Sequence, residues 1–169
     1  RFSARGWVNA NRSFAFGANV RVGDQIFYSF NPALGHQAAW SVNVRVRPTS
    51  SISTRLNLST TRLTIDGMEE FDVKILRATT TYQVTDKFGL RNITEFNSLD
   101  KELDLNLLVT YRIDAGTVFF VGYDDHYQQA DLIEGDRDGD GFNEQLFFTQ
   151  RLRRTNRAIF VKLQYLLRY

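Results

Sequence analysis

The final stretch of the chain, residues 157–169, constrains the fold more than any other. Ile159, Val161, Leu163, Tyr165, Leu167 and Tyr169 occupy every second position, and Lys162, Gln164 and Arg168 fall between them. A period of two places successive side chains on opposite sides of an extended backbone, so the segment predicts a strand with one apolar and one polar face. The same rhythm recurs upstream. Phe14, Phe16, Ala18, Val20 and Val22 alternate with Ser13, Ala15, Gly17, Asn19 and Arg21, and Trp40, Val42, Val44 and Val46 alternate with Ser41, Asn43, Arg45 and Arg47. Leu103, Leu105, Leu107, Val109, Tyr111 and Ile113 oppose Glu102, Asp104, Asn106, Thr110 and Arg112.

Further strands are expected over residues 2–10, 51–65, 72–85, 90–97, 117–128 and 145–152, with turns at Asn11-Arg12, at 48–50, at 86–89, at 114–116 and at 153–156, and an acidic loop at 66–71. The expectation is about ten strands, with Ile26 to Phe30 as a possible extra one. A face carrying Glu, Asp and Arg cannot point into lipid, but it can line the inside of a barrel. The fold class expected is therefore all-β, an antiparallel up-and-down transmembrane β-barrel, with residues 1–169 as a single domain.

Composition agrees and excludes several function classes. Aromatic residues make up 14% of the 169 residues and there are only 2 prolines, which favours β-structure. No apolar run approaches the ~18 residues of a membrane helix, whereas a membrane strand needs only ~10 with alternate positions apolar. The 21 basic and 19 acidic residues nearly balance, which gives no argument for a nucleic-acid partner. With no cysteine, disulfides, thiolate metal sites and Cys nucleophiles are excluded. The chain opens on Arg1 rather than Met, which suggests a mature form or a piece of a longer chain.

The strand that stops on an aromatic at the end of its apolar face resembles the closing strand of outer-membrane barrels, the signal they present to the barrel assembly machinery. More specifically, P-T-S-S-I-S-T-R-L-N-L-S (48–59), A-T-T-T-Y-Q-V-T-D-K-F-G-L-R (78–91), F-N-S-L-D-K-E-L-D-L-N-L-L-V-T-Y-R (96–112), D-A-G-T-V-F-F-V-G-Y (114–123) and R-R-T-N-R-A-I-F-V-K-L-Q-Y-L-L-R (153–168) resemble the C-terminal barrel of a family of large Gram-negative outer-membrane proteins. The resemblance covers roughly residues 38–169 and is loose over residues 1–37. It implies a cell outer membrane location, with a carbohydrate-binding-like domain ahead of the barrel and an unassigned role. Some members are labelled membrane-associated hydrolases. No such N-terminal domain is present in these 169 residues, so a sugar-binding or hydrolytic role does not carry over with the barrel.

Residue chemistry offers three candidate sites. Asp136, Asp138 and Asp140, followed by Gly141 and Glu144, form a D-x-D-x-D-G-x-x-E arrangement that wraps oxygens around Ca²⁺, with the Phe142 carbonyl as a further ligand. The bidentate acid of a full EF-hand loop is missing, because Phe147 stands at the twelfth position, so the alternative is a solvated acidic loop. Arg151, Arg153, Arg154 and Arg157 are placed to bind lipid phosphates at a barrel rim, or simply to keep a hairpin turn soluble. Asp124-Asp125-His126 invites a catalytic reading, but His36 and His126 are the only histidines and lack metal-ligand spacing, so no catalytic residues and no enzyme activity are expected.

These readings make the chain a membrane anchor or transport component whose partners are outer-membrane lipid, the assembly machinery and other membrane or cell-surface proteins. The competing classes are a soluble all-β binding module, with the apolar faces packed sheet on sheet, and the barrel part of a carbohydrate-active hydrolase. Closure within the chain is expected, with strand 2–10 pairing with the last strand, since bare backbone edges in hydrocarbon cost several kcal/mol per unpaired group. One conflict arises. Counting back from Tyr169 puts the turn at 153–156 outside and the long loop 129–144 on the periplasmic side, against the usual rule for such barrels.

Overall fold

The alternation becomes one continuous hydrogen-bonded ladder. The computed structural model describes the backbone of residues 1–28, 32–134 and 144–166, and their side chains outside 130–150. Its elements are β1 (Phe2–Asn9), β2 (Phe14–Phe27), β3 (Ala33–Val46), β4 (Ile52–Ile65), β5 (Met68–Gln83), β6 (Phe88–Asn97), β7 (Glu102–Arg112), β8 (Thr117–Glu134) and β9 (Glu144–Tyr165). They form a single nine-stranded sheet in sequence order, every neighbour antiparallel. The all-β, up-and-down class is as expected. No helix among the described residues is long and apolar enough to cross a membrane, which bears on helices alone.

The count of about ten strands is corrected to nine among the described residues, because no turn exists at 153–156. Those residues lie inside β9, where the register passes from His126↔Asn156 to Tyr127↔Arg154 and leaves Thr155 as an extra residue. The hydroxyl of Thr155 donates to the His126 carbonyl at 3.2 Å. A bulge absorbs the break in alternation that resembled a turn. The acidic loop at 66–71 also shrinks. Asp66 and Gly67 both have positive φ, 51° and 81°, as a type I′ hairpin turn requires, so Met68 already begins β5. A register shift at Leu63/Thr64 takes up the odd residue. Of the possible extra strand at 26–30, Ile26 and Phe27 belong to the end of β2, and residues 29–30 lie outside the described residues.

Merging the last two strands removes the conflict over sidedness. The links 10–13, 47–51, 84–87 and 113–116 now share one end of the sheet with Leu166, whose N–H donates to the Gly116 carbonyl at 2.9 Å. Towards the opposite end, β8 and β9 run on beyond the pairing of β7 at Glu102↔Gln128. Each turn at the first end is closed by a side-chain acceptor. Asn11 Oδ1 accepts from the N–H of Phe14 at 2.7 Å, Thr49 Oγ1 from Ile52 at 3.2 Å, Thr85 Oγ1 from Phe88 at 3.0 Å and Asp114 Oδ1 from Thr117 at 2.8 Å. The backbone N–H groups of Gly116 and Thr117 beside it hold the Asp114 carboxyl below the usual range.

Closure within the chain is not observed. Among the described residues β1 pairs with β2, β9 pairs with β8, and no ladder joins β1 to β9. Parity supplies a physical reason. In an up-and-down meander of nine strands the first and last run in the same direction, so joining them would need a parallel ladder, with a different hydrogen-bond geometry. An even count would have allowed antiparallel closure.

The register also pairs glycine with aromatic side chains across strands. Gly122 in β8 faces Phe160 in β9, and a Cβ added at Gly122 would overlap the Phe160 ring. Gly122→Ala is therefore expected to destabilise the sheet by about 1–3 kcal/mol, seen as a lowered urea midpoint of the folded chain. Gly6→Ala, where a Cβ meets nothing within 4 Å, is the control, and equal midpoints for the two variants would contradict the packing argument.

Candidate functional site

The two faces of the sheet differ in chemistry along its whole width. One face collects the apolar dyads: Phe14 to Val22 on β2, Val46 to Ala38 on β3, Leu56 and Leu58 on β4, Leu76 and Ala78 on β5, and Leu103 to Val109 on β7, all brought into line by the cross-strand register. No second layer among the described residues covers it. Among the described residues Ala15 and Leu63 are the buried hydrophobics, whereas Leu56 is 41% and Leu76 47% exposed. Leu103, Leu105, Leu107 and Val109 are half-buried within the sheet itself. The competing sandwich would place them inside, but among the described residues no facing sheet covers them.

This apolar band has defined borders. At the short-turn end it is edged by Phe14, Tyr82, Phe88, Tyr111, Phe119 and Tyr165, and towards the other end by Trp40, Phe96, Tyr123 and Tyr127. Along and beyond the second edge the same face carries a row of ion pairs. His36 Nδ1 is 3.0 Å from Asp24 Oδ1. Arg62 reaches Asp72 at 3.0 Å and Glu69 at 3.2 Å, and Lys74 lies 3.5 Å from Asp72. On the last hairpin, Asp125 accepts from Arg157 Nε at 2.9 Å and Nη2 at 3.2 Å, from the Tyr127 hydroxyl at 2.9 Å, and from the Tyr123 hydroxyl.

The opposite face is polar and carries the hollows of the surface. Its β1–β5 part presents Arg5, Arg21, Arg45, Arg55 and Arg77 with Asn19, Asn43, Asn57 and Trp7. Its β6–β8 part holds the acids Glu95, Glu102, Asp104 and Asp124 together with His126. Two hollows flank Trp7. One of about 320 Å³ is lined by Asn43, Arg45, Arg55, Asn57, Arg77 and Thr79, and one of about 300 Å³ by Arg5, Gly17, Asn19, Ser41 and Asn43.

The residues singled out from the sequence fall as follows. Asp136, Asp138, Asp140 and Phe142 lie outside the described residues, and of Glu144 only the backbone, at the start of β9, is described. Among the described residues no group of three or more His, Asp and Glu is arranged to hold a metal ion. Arg151, Arg153, Arg154 and Arg157 lie within β9 and not in a turn. Arg157 is occupied by Asp125, Arg153 stands opposite Gln128, and Arg154 opposite Tyr127 on the apolar face, next to the row of ion pairs.

Asp125 and His126 are neighbours on a strand, so they point to opposite faces and form no dyad. Asp125 is 2% exposed and saturated by its four donors, which leaves no lone pair for a substrate. His126 instead bonds Asp104 through Nδ1, and its Nε2 lies 3.6 Å from Glu102. The register that brings Asp125 to Arg157 spans a long sequence separation, and nothing local in the sequence signals it.

A single-layer antiparallel sheet with a bordered apolar band on one face and an arginine-rich polar face on the other is the class of structure these residues define. No family model matches the chain, and no curated protein compared with it is similar.

Proposed function

We propose that the chain forms part of the wall of an outer-membrane β-barrel and acts as a membrane anchor or transport component, without catalysis. The observation that carries this reading is the uncovered apolar band, edged by aromatics on both sides, with ion pairs along and beyond one of those edges. Its extent, such as Phe14 to Val22 on β2, suits the ~10 residues of a tilted strand that crosses hydrocarbon. Outer-membrane barrels carry such a band, with aromatic girdles at both interfaces. With the short turns and Leu166 on the periplasmic side, the long β8–β9 hairpin extends outward, as in known barrels. The resemblance of residues 38–169 to the barrel of large Gram-negative outer-membrane proteins points the same way.

Two bare edges cannot persist in a bilayer, where each unpaired backbone group costs several kcal/mol. Further strands must join them. A second copy in the same membrane orientation would again set β9 parallel to β1, so an antiparallel wall calls for an odd number of additional strands lying between the two edges. A longer chain containing these residues supplies them most simply. The ion-pair row, with Arg154 and Arg157, then lies at the level of outer-leaflet headgroups, where guanidinium groups meet lipid phosphate.

The chain has no cysteine, so single labels can be placed freely. A fluorophore on Cys at position 105 is expected to be quenched by spin-labelled lipid, and one at 106 by an aqueous quencher, after refolding into vesicles. Equal aqueous quenching at both positions, or a monomer that stays folded and dispersed without detergent, would overturn the membrane reading in favour of a soluble β-module.

A further inference from the structure

We infer that the polar face over β1–β4 is a binding site for a small organic anion, a carboxylate or phosphate attached to a ring, with Trp7 as stacking platform and Arg45 and Arg55 as its charge partners. Arg45 and Arg55 stand directly opposite each other across β3 and β4. Like charges in that position repel, and the strand pair would be more stable without one of them. No carboxylate among the described residues offsets them. On this face of β1–β5 the register brings up only arginines as charged groups, and the nearest acid, Glu95, is held by Arg77 at 3.3 Å.

The geometry around them is that of a prepared site. The Trp7 ring lies over Gly17, whose register partner it is, and a Cβ at Gly17 would collide with the ring. The Arg45 guanidinium sits 5.8 Å from the centroid of the same ring, a cation–π contact that fixes its plane. Its Nε is buried with no acceptor among the described residues, so the side chain carries an unanswered donor. Asn57 Nδ2 donates to Asn43 Oδ1 at 2.7 Å, which leaves one N–H of Asn57 and both N–H groups of Asn43 for a ligand. The hollow enclosed by these groups measures about 320 Å³, within the range of small-ligand sites. A guanidinium pair selects an oxyanion, and an indole face selects a ring, so together they specify both in one molecule.

This inference does not depend on the bilayer, because the polar face is the same in a micelle. The chain has two tryptophans, and Trp40 lies on the apolar face, so Trp40→Phe leaves Trp7 as a reporter within the site. Titrating that variant, folded in detergent, with glucuronate is expected to change Trp7 emission saturably. Inorganic phosphate, which lacks the ring, should bind more weakly, and glucose, which lacks the charge, should leave the emission unchanged. Arg55→Gln is expected to weaken glucuronate binding about tenfold, the loss of one charge-assisted hydrogen bond. Gly17→Ala, which keeps every charge but displaces the ring, should weaken it as well, while Arg12→Gln in the 10–13 turn should not. An equal response to glucose, an affinity unchanged by Arg55→Gln, or the absence of any saturable change would overturn the assignment. Equal affinity for phosphate would overturn the stacking role of Trp7.

Discussion

An arginine placed at Leu107 is expected to lower the folding free energy in a bilayer by about 2–4 kcal/mol, whereas the same residue at Tyr111 costs at most about 1 kcal/mol. Both positions lie on the apolar face of β7, Leu107 near the middle of the band and Tyr111 at its aromatic border. Depth alone separates them. Hydrocarbon offers no hydrogen bonds to a guanidinium, so the cost peaks at the midplane and fades within reach of the headgroups. Asn106→Arg is the internal control. Asn106 faces the other way and stands opposite Asp124, so a new cation there meets a carboxylate and should be tolerated. Urea unfolding of vesicle-refolded variants reads all three. A soluble sandwich would also suffer at Leu107, but it would show no gradient with depth, so equal losses at Leu107 and Tyr111 would count against the membrane reading.

The alternation that identifies the strands also assigns their faces, which is why the apolar band is legible in the residues alone. Phe14 to Val22 or Leu103 to Val109 need no partner to announce a period of two. What the sequence conceals depends on pairing. The polar run Arg153 to Asn156 has the composition of a turn, and only the register against β8 shows that it is a bulge centred on Thr155. That single difference changes the strand count from even to odd, and an even count makes closure of β1 on β9 look available. The Asp-Gly pair at Asp66-Gly67 does carry a hairpin signal, but the acidic residues beyond it mask how early β5 starts. The arginines of the polar face are visible as alternating residues, while their convergence around Trp7 is a product of three cross-strand registers. The acidic repeat from Asp136 to Glu144 remains a sequence motif without described geometry.

Removing one partner of the Asp125–Arg157 pair is expected to destabilise the chain more than removing both. The carboxylate is nearly sealed off on the apolar face, and Arg157 supplies two of its hydrogen bonds, at 2.9 and 3.2 Å. In Arg157→Leu the two tyrosine hydroxyls remain as donors but the opposing charge is gone, and a nearly buried anion on the apolar face must then attract water or a proton. In Asp125→Leu a guanidinium is stranded in the same place. The double variant Asp125→Leu/Arg157→Leu places two aliphatic side chains opposite each other, continuing the band formed by Val121 and Ile159, and should recover most of the loss. The double-mutant cycle on urea midpoints isolates this coupling, and Tyr127→Phe, which removes a single hydroxyl, should cost the least of the set. Acidification supplies an independent arm. Protonation discharges the orphaned carboxylate, so the deficit of Arg157→Leu relative to the double variant should shrink as the pH falls. Single losses that simply add in the double variant would mean that the pair is a bystander to folding, and that the charged border of the band is maintained by its water-facing neighbours instead.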